Sequence, residues 1–196
     1  MSPTLPEPGP RNAPPLRVFF ALWPDAGVRD ALSALARDTA AQARGRAPLA
    51  GNLHLTLAFL GDVAAPRIAA LQAIGPAVAS AVGPFTVMLD RVGAFGNGGT
   101  AWVGASAPPR ELERLAQLLT GALAKDGFPT ERRAFHPHVT LARRCRHPTG
   151  TGIIVSIEWR VERITLNASE RAPTGPRYRE LGAWSLGAHE ADRTTS

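Results

Sequence analysis

Apolar residues recur along the chain at two spacings, every second position and every third or fourth, and the switches between them mark out its elements. Leu16 to Leu22 predicts a buried strand, and Pro24-Asp25 then starts a helix with Val28, Leu32, Leu35 and Thr39 on one face. Arg44 to Asn52 reads as a loop. Leu53 to Leu60 is a strand, which Gly61-Asp62 turns into a second helix bearing Ile68, Leu71, Ile74 and Val78. Phe85 to Leu89 and Thr100 to Val103 are strands joined by a hairpin turn over Gly96 to Gly99. Gly96, Gly98 and Gly99 precede a strand and not a helix, so they do not form a nucleotide cradle. Pro108-Pro109 opens a third helix carrying Leu112, Leu115, Leu118, Leu119 and Leu123, which Gly127 ends. His138 to Ala142, Ile153 to Trp159, Arg163 to Asn167 and Tyr178 to Leu186 complete the strands.

Strands interleaved with three helices predict a mixed α+β fold. They are too few and too irregular for a barrel of eight strand–helix units, and no array repeat is present. Residues 1–15, with six prolines, read as a disordered leader, 16–186 as a single domain and 187–196 as a flexible tail.

One short echo interrupts this otherwise unrepeated pattern. His54-Leu-Thr-Leu-Ala-Phe59 and His138-Val-Thr-Leu-Ala-Arg143 agree at four of six positions, and each lies on a predicted strand. Alternation puts His54 with Thr56 on one face, and Leu53, Leu55 and Leu57 on the other. It likewise sets His138 with Thr140 opposite Val139 and Leu141. Each strand thus anchors an apolar face in a core and presents an imidazole beside a hydroxyl. Laid side by side, the two would turn both pairs into one cavity.

Such a cavity suits phosphodiester hydrolysis. A neutral imidazole takes a proton from water while a protonated one gives a proton to the departing ribose oxygen, and a pKa near 6.5 makes both forms accessible. Threonine hydroxyls and backbone N–H groups can hold the phosphate oxygens. A single His-x-Thr on a strand is usually just a half-buried, hydrogen-bonded histidine; two copies with matched flanks are harder to dismiss. Strict alternation places Arg143 on the Val139 face, so it reaches the cavity only through a strand end or a bulge.

Composition constrains the setting more than the chemistry. Apolar residues make up 44% of the chain, as in an ordinary globular protein, and the longest apolar run, Val18 to Trp23, is far short of a membrane span. One cysteine and no visible secretory signal fit a cytoplasmic protein. The net charge of +6 allows a polyanionic partner without demanding one, because every Lys or Arg other than Lys125 is arginine, as a GC-rich genome would also produce.

Taken together, Arg17-Val-Phe-Phe-Ala21, Asn52-Leu-His-Leu-Thr-Leu-Ala-Phe-Leu-Gly61, Phe135-His-Pro-His-Val-Thr-Leu-Ala-Arg143 and the Tyr178 region resemble the 2H phosphoesterases. Within them the chain is similar to the bacterial and archaeal RNA 2′,3′-cyclic phosphodiesterases, also called 2′-5′ RNA ligases. The resemblance spans Leu16 to Leu186. It implies a bilobal α+β fold, with two antiparallel-rich sheets and flanking helices around a central cleft. It implies His54 as proton donor to the leaving 3′ oxygen, His138 as the base that activates water, and a 2′-phosphate product. It also implies Arg143 as a phosphate contact and Tyr178 as a substrate contact in the cleft; Phe19 is a further substrate-binding candidate, because Phe19, Phe20, Trp23 and Trp102 could include a base-stacking platform, although core packing suits most of them better. Members of that family also join RNA ends 2′-5′, with a ribose hydroxyl in place of water. Where they often carry Arg-Pro, this chain has Arg132-Arg133-Ala134.

The expectation is therefore a monomeric, metal-independent enzyme without a cofactor or an obligate protein partner. Its substrate is RNA ending in a 2′,3′-cyclic phosphate, or a small cyclic phosphate. Two rivals stand beside it: a non-catalytic RNA-binding module of the same fold, and a metal-dependent hydrolase using His136, Cys145 and His147, whose spacing fits no standard zinc site. His147 and His189 read as loop residues, Arg132 and Arg133 as candidate contacts to the RNA backbone, and Phe20, Trp23 and Trp102 as core.

Overall fold

Asp25 caps the first helix by accepting a 2.9 Å hydrogen bond from the Val28 N–H, so the turn read from Pro24-Asp25 begins the helix as predicted. The computed structural model describes residues 14–96, 99–131, 133–147, 154–172 and 175–187. Within them the strands are β1 (Leu16–Leu22), β2 (Leu55–Val63), β3 (Phe85–Phe95), β4 (Thr100–Gly104), β5 (His138–Arg143), β6 (Ile154–Val161), β7 (Arg163–Ala172) and β8 (Gly175–Ser185). The helices are α1 (Ala26–Gln42), α2 (Ile68–Ser80) and α3 (Arg110–Lys125). The proposed leader and tail fall almost wholly on residues 1–13 and 188–196, outside the described residues, as do Gly98, Arg132 and His189.

Where two sheets were expected there is one, antiparallel throughout, in the order β6-β3-β4-β5-β2-β1-β7-β8. It divides into two four-stranded lobes that meet at β2 and β5 through a single residue pair, Leu55 with Val139. Bulges just beyond that pair on both strands raise the local twist and turn the strands apart, opening a cleft.

Two of the three helices cross between lobes, while α2 packs on β7 and β8 of the lobe it leaves. α1 follows β1 in the chain but lies against β5 and β6, whereas α3 follows β4 but lies against α2 and β2. A single apolar cluster consequently runs through both lobes, from Val18 and Phe20 of β1 to Trp159 of β6. Among the described residues no helix is long and apolar enough to cross a membrane.

β2 begins at Leu55 and not Leu53, so His54 stands just ahead of it, β7 runs on to Ala172 and β8 starts back at Gly175. The far ends of β2 and β3 differ from expectation for one shared reason, a local irregularity in the pairing. Gly61 and Asp62 do not turn the chain; they continue β2, and Gly61 takes φ +72° beside a bulge at Leu60, a conformation glycine adopts without a Cβ penalty. The chain leaves the sheet at the short turn Ala65–Arg67. β3 runs on to Phe95 because an irregularity at Asp90 breaks its alternation without ending it.

Candidate active site

The two echoed segments share more than residue types. In β2, Ala21 faces Thr56 and Phe20 faces Ala58, leaving Leu57 as the extra residue of a bulge. In β5, Trp102 faces Thr140 and Ala101 faces Ala142, leaving Leu141 as the extra residue. Each bulge sends two consecutive side chains to the core and resets the alternation. Arg143, paired with Thr100, is thereby returned to the face of His138 and Thr140.

Both histidines are held in the same way. His54 Nδ1 lies 2.7 Å from the carbonyl oxygen of Asn52, and His138 Nδ1 lies 2.7 Å from that of His136. A carbonyl can only accept, so each Nδ1 carries a proton and each Nε2 is left for chemistry. Asn52 is itself anchored, its side-chain amide donating 2.8 Å to the Pro176 carbonyl on β8.

Aromatic rings fix the planes of both imidazoles. His54 is enclosed by Phe19 at 5.0 Å, Trp23 at 4.8 Å and Tyr178 at 5.2 Å between centroids. Trp23 is held by donating 2.9 Å to the Thr165 hydroxyl, which also accepts from Asn167 and donates to the Ala21 carbonyl. On the other lobe His138 meets Phe95 at 4.7 Å, with Trp102 and His136 further out.

A cavity of about 470 Å³ brings His54, Thr56, His138, Thr140, Arg143 and Tyr178 onto one surface. That volume falls inside the range of roughly 300–1,000 Å³ usual for small-molecule sites. Phe19, only 3% exposed, backs His54 and Tyr178 and does not line the cavity.

Burial dominates the electrostatics. It lowers the His54 pKa from 6.5 to about 4, opposed by the Asn52 carbonyl and reinforced by the charges of Arg143 and His138. His138 is lowered for the same leading reason, with the His136 carbonyl opposing and the His136 and Arg143 charges adding. Burial raises the Tyr178 hydroxyl, with Arg143 opposing. One guanidinium, that of Arg143, acts on both imidazoles and the phenol and lines the same cavity as all three.

The remaining candidates scatter. Cys145 sits against Ala40, Ala101 and Ala142, while His136 borders Trp102 at 4.6 Å. Among the described residues no three His, Cys, Asp or Glu side chains cluster as a metal site would require. Arg133 is exposed beside Glu131. Sequence reasoning assigned Trp23 and Trp102 to the core and passed over Phe95 and Asn52. The signal for Trp23 was its parity with Phe19 and Ala21, continued past the strand end.

Residues 23–172 match the 2′-5′ RNA ligase superfamily. The RNA 2′,3′-cyclic phosphodiesterase of Escherichia coli (strain K12) is 34% identical over 177 residues, 88% of this chain and 97% of that protein. The protein of the same name from Thermus thermophilus is 35% identical over 181 residues, covering 87% and 90%. Among solved structures, E. coli LigT complexed with 3′-AMP superposes with a TM-score of 0.75 at 35% identity, covering 88% of this chain and 98% of that one. TT0787 of Thermus thermophilus gives 0.79 at 29% identity, covering 89% and 100%. A shared fold, near-complete coverage in both directions and the two His-x-Thr strands agree: the chain belongs to the 2′-5′ RNA ligase superfamily.

Proposed function

We propose that this protein hydrolyses the 2′,3′-cyclic phosphate end of RNA to a 2′-phosphate, using His54 and His138 as an acid–base pair. The observation that carries the reading is that two imidazoles with Nδ1 tied to a carbonyl border one cavity also lined by Thr56, Thr140 and Arg143. The likeness to proteins named RNA 2′,3′-cyclic phosphodiesterase over nearly the whole chain supports the same substrate class.

In this reading the His138 Nε2 takes a proton from water as the water oxygen forms a bond to phosphorus. The bond from phosphorus to O3′ breaks, and O3′ leaves with the proton carried by His54 Nε2. Arg143 and the two threonine hydroxyls hold the non-bridging oxygens as charge builds on them. The pair ends with its protonation states exchanged, and solvent resets it. With a ribose 5′-hydroxyl in place of water the same step forms a bond from O5′ to phosphorus as the bond to O3′ breaks, which leaves a 2′-5′ linkage.

An empty cleft biases both imidazoles toward neutrality, yet the donor must enter protonated. The substrate resolves this, because its phosphate anion raises the pKa of an imidazole it approaches. The test is product analysis of an oligonucleotide ending in a 2′,3′-cyclic phosphate. A 2′-monophosphate is expected. A 3′-monophosphate would exchange the roles of the two histidines, and no product would end the reading.

A further inference from the structure

The cavity holds more positive charge than a cyclic phosphate requires. Arg46, Arg143 and Arg144 all line it, and among the described residues no aspartate or glutamate does. Arg46 and Arg143 exchange both backbone hydrogen bonds, at 2.8 and 2.9 Å, and so stand directly opposite each other as a two-residue ladder. Like charges in that position repel and are destabilising. Arg144 follows with φ +56°, a left-handed conformation that costs a non-glycine residue about 1 kcal/mol or more. The left-handed backbone is not particular to the opening, since Arg44 outside it takes φ +47°, but the pairing of like charges is, and it suits an anion.

The anion cannot be the cyclic phosphate alone. That group is a diester with a single negative charge, and Arg143, which lines the cavity beside both histidines and both threonines, is the guanidinium given to it in the function proposed above. Arg46 and Arg144 are left over, at the mouth, beside Pro48 and a Leu49 that is 57% exposed. A nucleotide offers the matching combination, since one ribose beyond the cyclic phosphate lies a second phosphate, esterified at O5′.

We infer that Arg46 and Arg144 form a second phosphate subsite, which binds the 5′-phosphate of the terminal nucleotide and makes the protein select RNA ends over free nucleoside cyclic phosphates. This rests on the function proposed above and specifies its substrate. Fork-shaped guanidinium groups hold phosphate through paired, charge-assisted hydrogen bonds, and each tenfold in kcat/KM requires only about 1.4 kcal/mol.

The test compares adenosine 2′,3′-cyclic phosphate, its 5′-phosphorylated form, and the dinucleotide ApA ending in a 2′,3′-cyclic phosphate. Both compounds with a 5′-phosphate should exceed the first in kcat/KM by about tenfold or more. The double variant Arg46→Ala, Arg144→Ala should bring the ratio to within about twofold of unity. Arg44→Ala with Arg146→Ala removes equal charge from exposed positions of the same two turns outside the cavity, and should keep the preference. Equal kcat/KM for all three substrates would overturn the inference. So would a preference for the dinucleotide alone, or one that survives the first double variant or disappears with the second. Failure of the wild-type protein to turn over any of the three would instead remove the proposed function.

Discussion

Leu57 and Leu141 occupy the same place in the two lobes: each is the extra residue of a bulge immediately after the threonine of a His-x-Thr strand. Beyond the bulge the lobes diverge. Two positions on, the first lobe carries Phe59, 48% exposed with the Arg17 guanidinium 4.7 Å from its ring, whereas the second carries Arg143. The repeated framework therefore presents a guanidinium from one side only, and Arg143 has no twin to replace it.

Arg143→Ala should accordingly lower kcat/KM by roughly 10²-fold or more, as the loss of one preorganised oxyanion contact does. Because its charge depresses both imidazoles, the same variant should raise the pKa of His54 and His138. Titration of the histidine ring protons by NMR reads this directly, and Arg143→Lys should leave those pKa values near the wild-type ones. Unchanged titration in Arg143→Ala would remove Arg143 from the centre of the cleft.

His54→Ala and His138→Ala should each reduce turnover by roughly 10³-fold or more, and the double variant should lose little beyond either one, since the two act as a unit. Melting temperatures should stay close to the wild type, because both side chains lie on the cleft side of their strands. Wild-type turnover should persist in excess EDTA. A loss that added divalent metal restores would contradict the proposed chemistry.

Protons should destabilise the fold in a defined window. The folded-state pKa of His54, about 4, lies below the 6.5 of an unfolded histidine, and His138 is shifted the same way. The unfolded chain therefore binds more protons between those values, and stability falls as pH drops from about 6.5 to about 4. Urea unfolding at pH 7.5 and pH 5 should show the decrease, and His54→Gln should shrink it. In kinetics, the alkaline limb of kcat/KM should fall below pH 6.5, with that of kcat displaced upward by the bound anion.

Gly93 faces Trp102 across the β3–β4 pair, and a Cβ there would stand 2.3 Å from the indole. Gly93→Ala must displace a ring that borders His136 and His138. We expect a destabilisation of about 1–3 kcal/mol in chemical denaturation, together with reduced kcat. Wild-type stability would mean that the indole moves freely.

The histidine and threonine pairs were legible in the sequence because strand alternation is local: His54 and Thr56 share a face whatever β2 pairs with. Alternation alone set Arg143 on the wrong face, and only the family resemblance named it, because a bulge is a mismatch between two strands and the offset at Leu141 exists only relative to Trp102 and Ala101. Gly61 misled for a related reason, since a glycine that permits a bulge and one that makes a turn look alike in sequence. The aromatic support was hidden in the same way. Trp102 reads as a core residue until its register opposite Thr140 turns it toward His138.

The crossing of α1 and α3 bears on how the molecule comes apart. Each lobe takes part of its apolar backing from a helix that departs from the other, with α2 alone staying on its own lobe, so melting one lobe strips packing from its counterpart. Unfolding should proceed as one event, and the spacing of the two imidazoles is inherited from the whole chain at once, with no half-assembled form in which only one of them is in position.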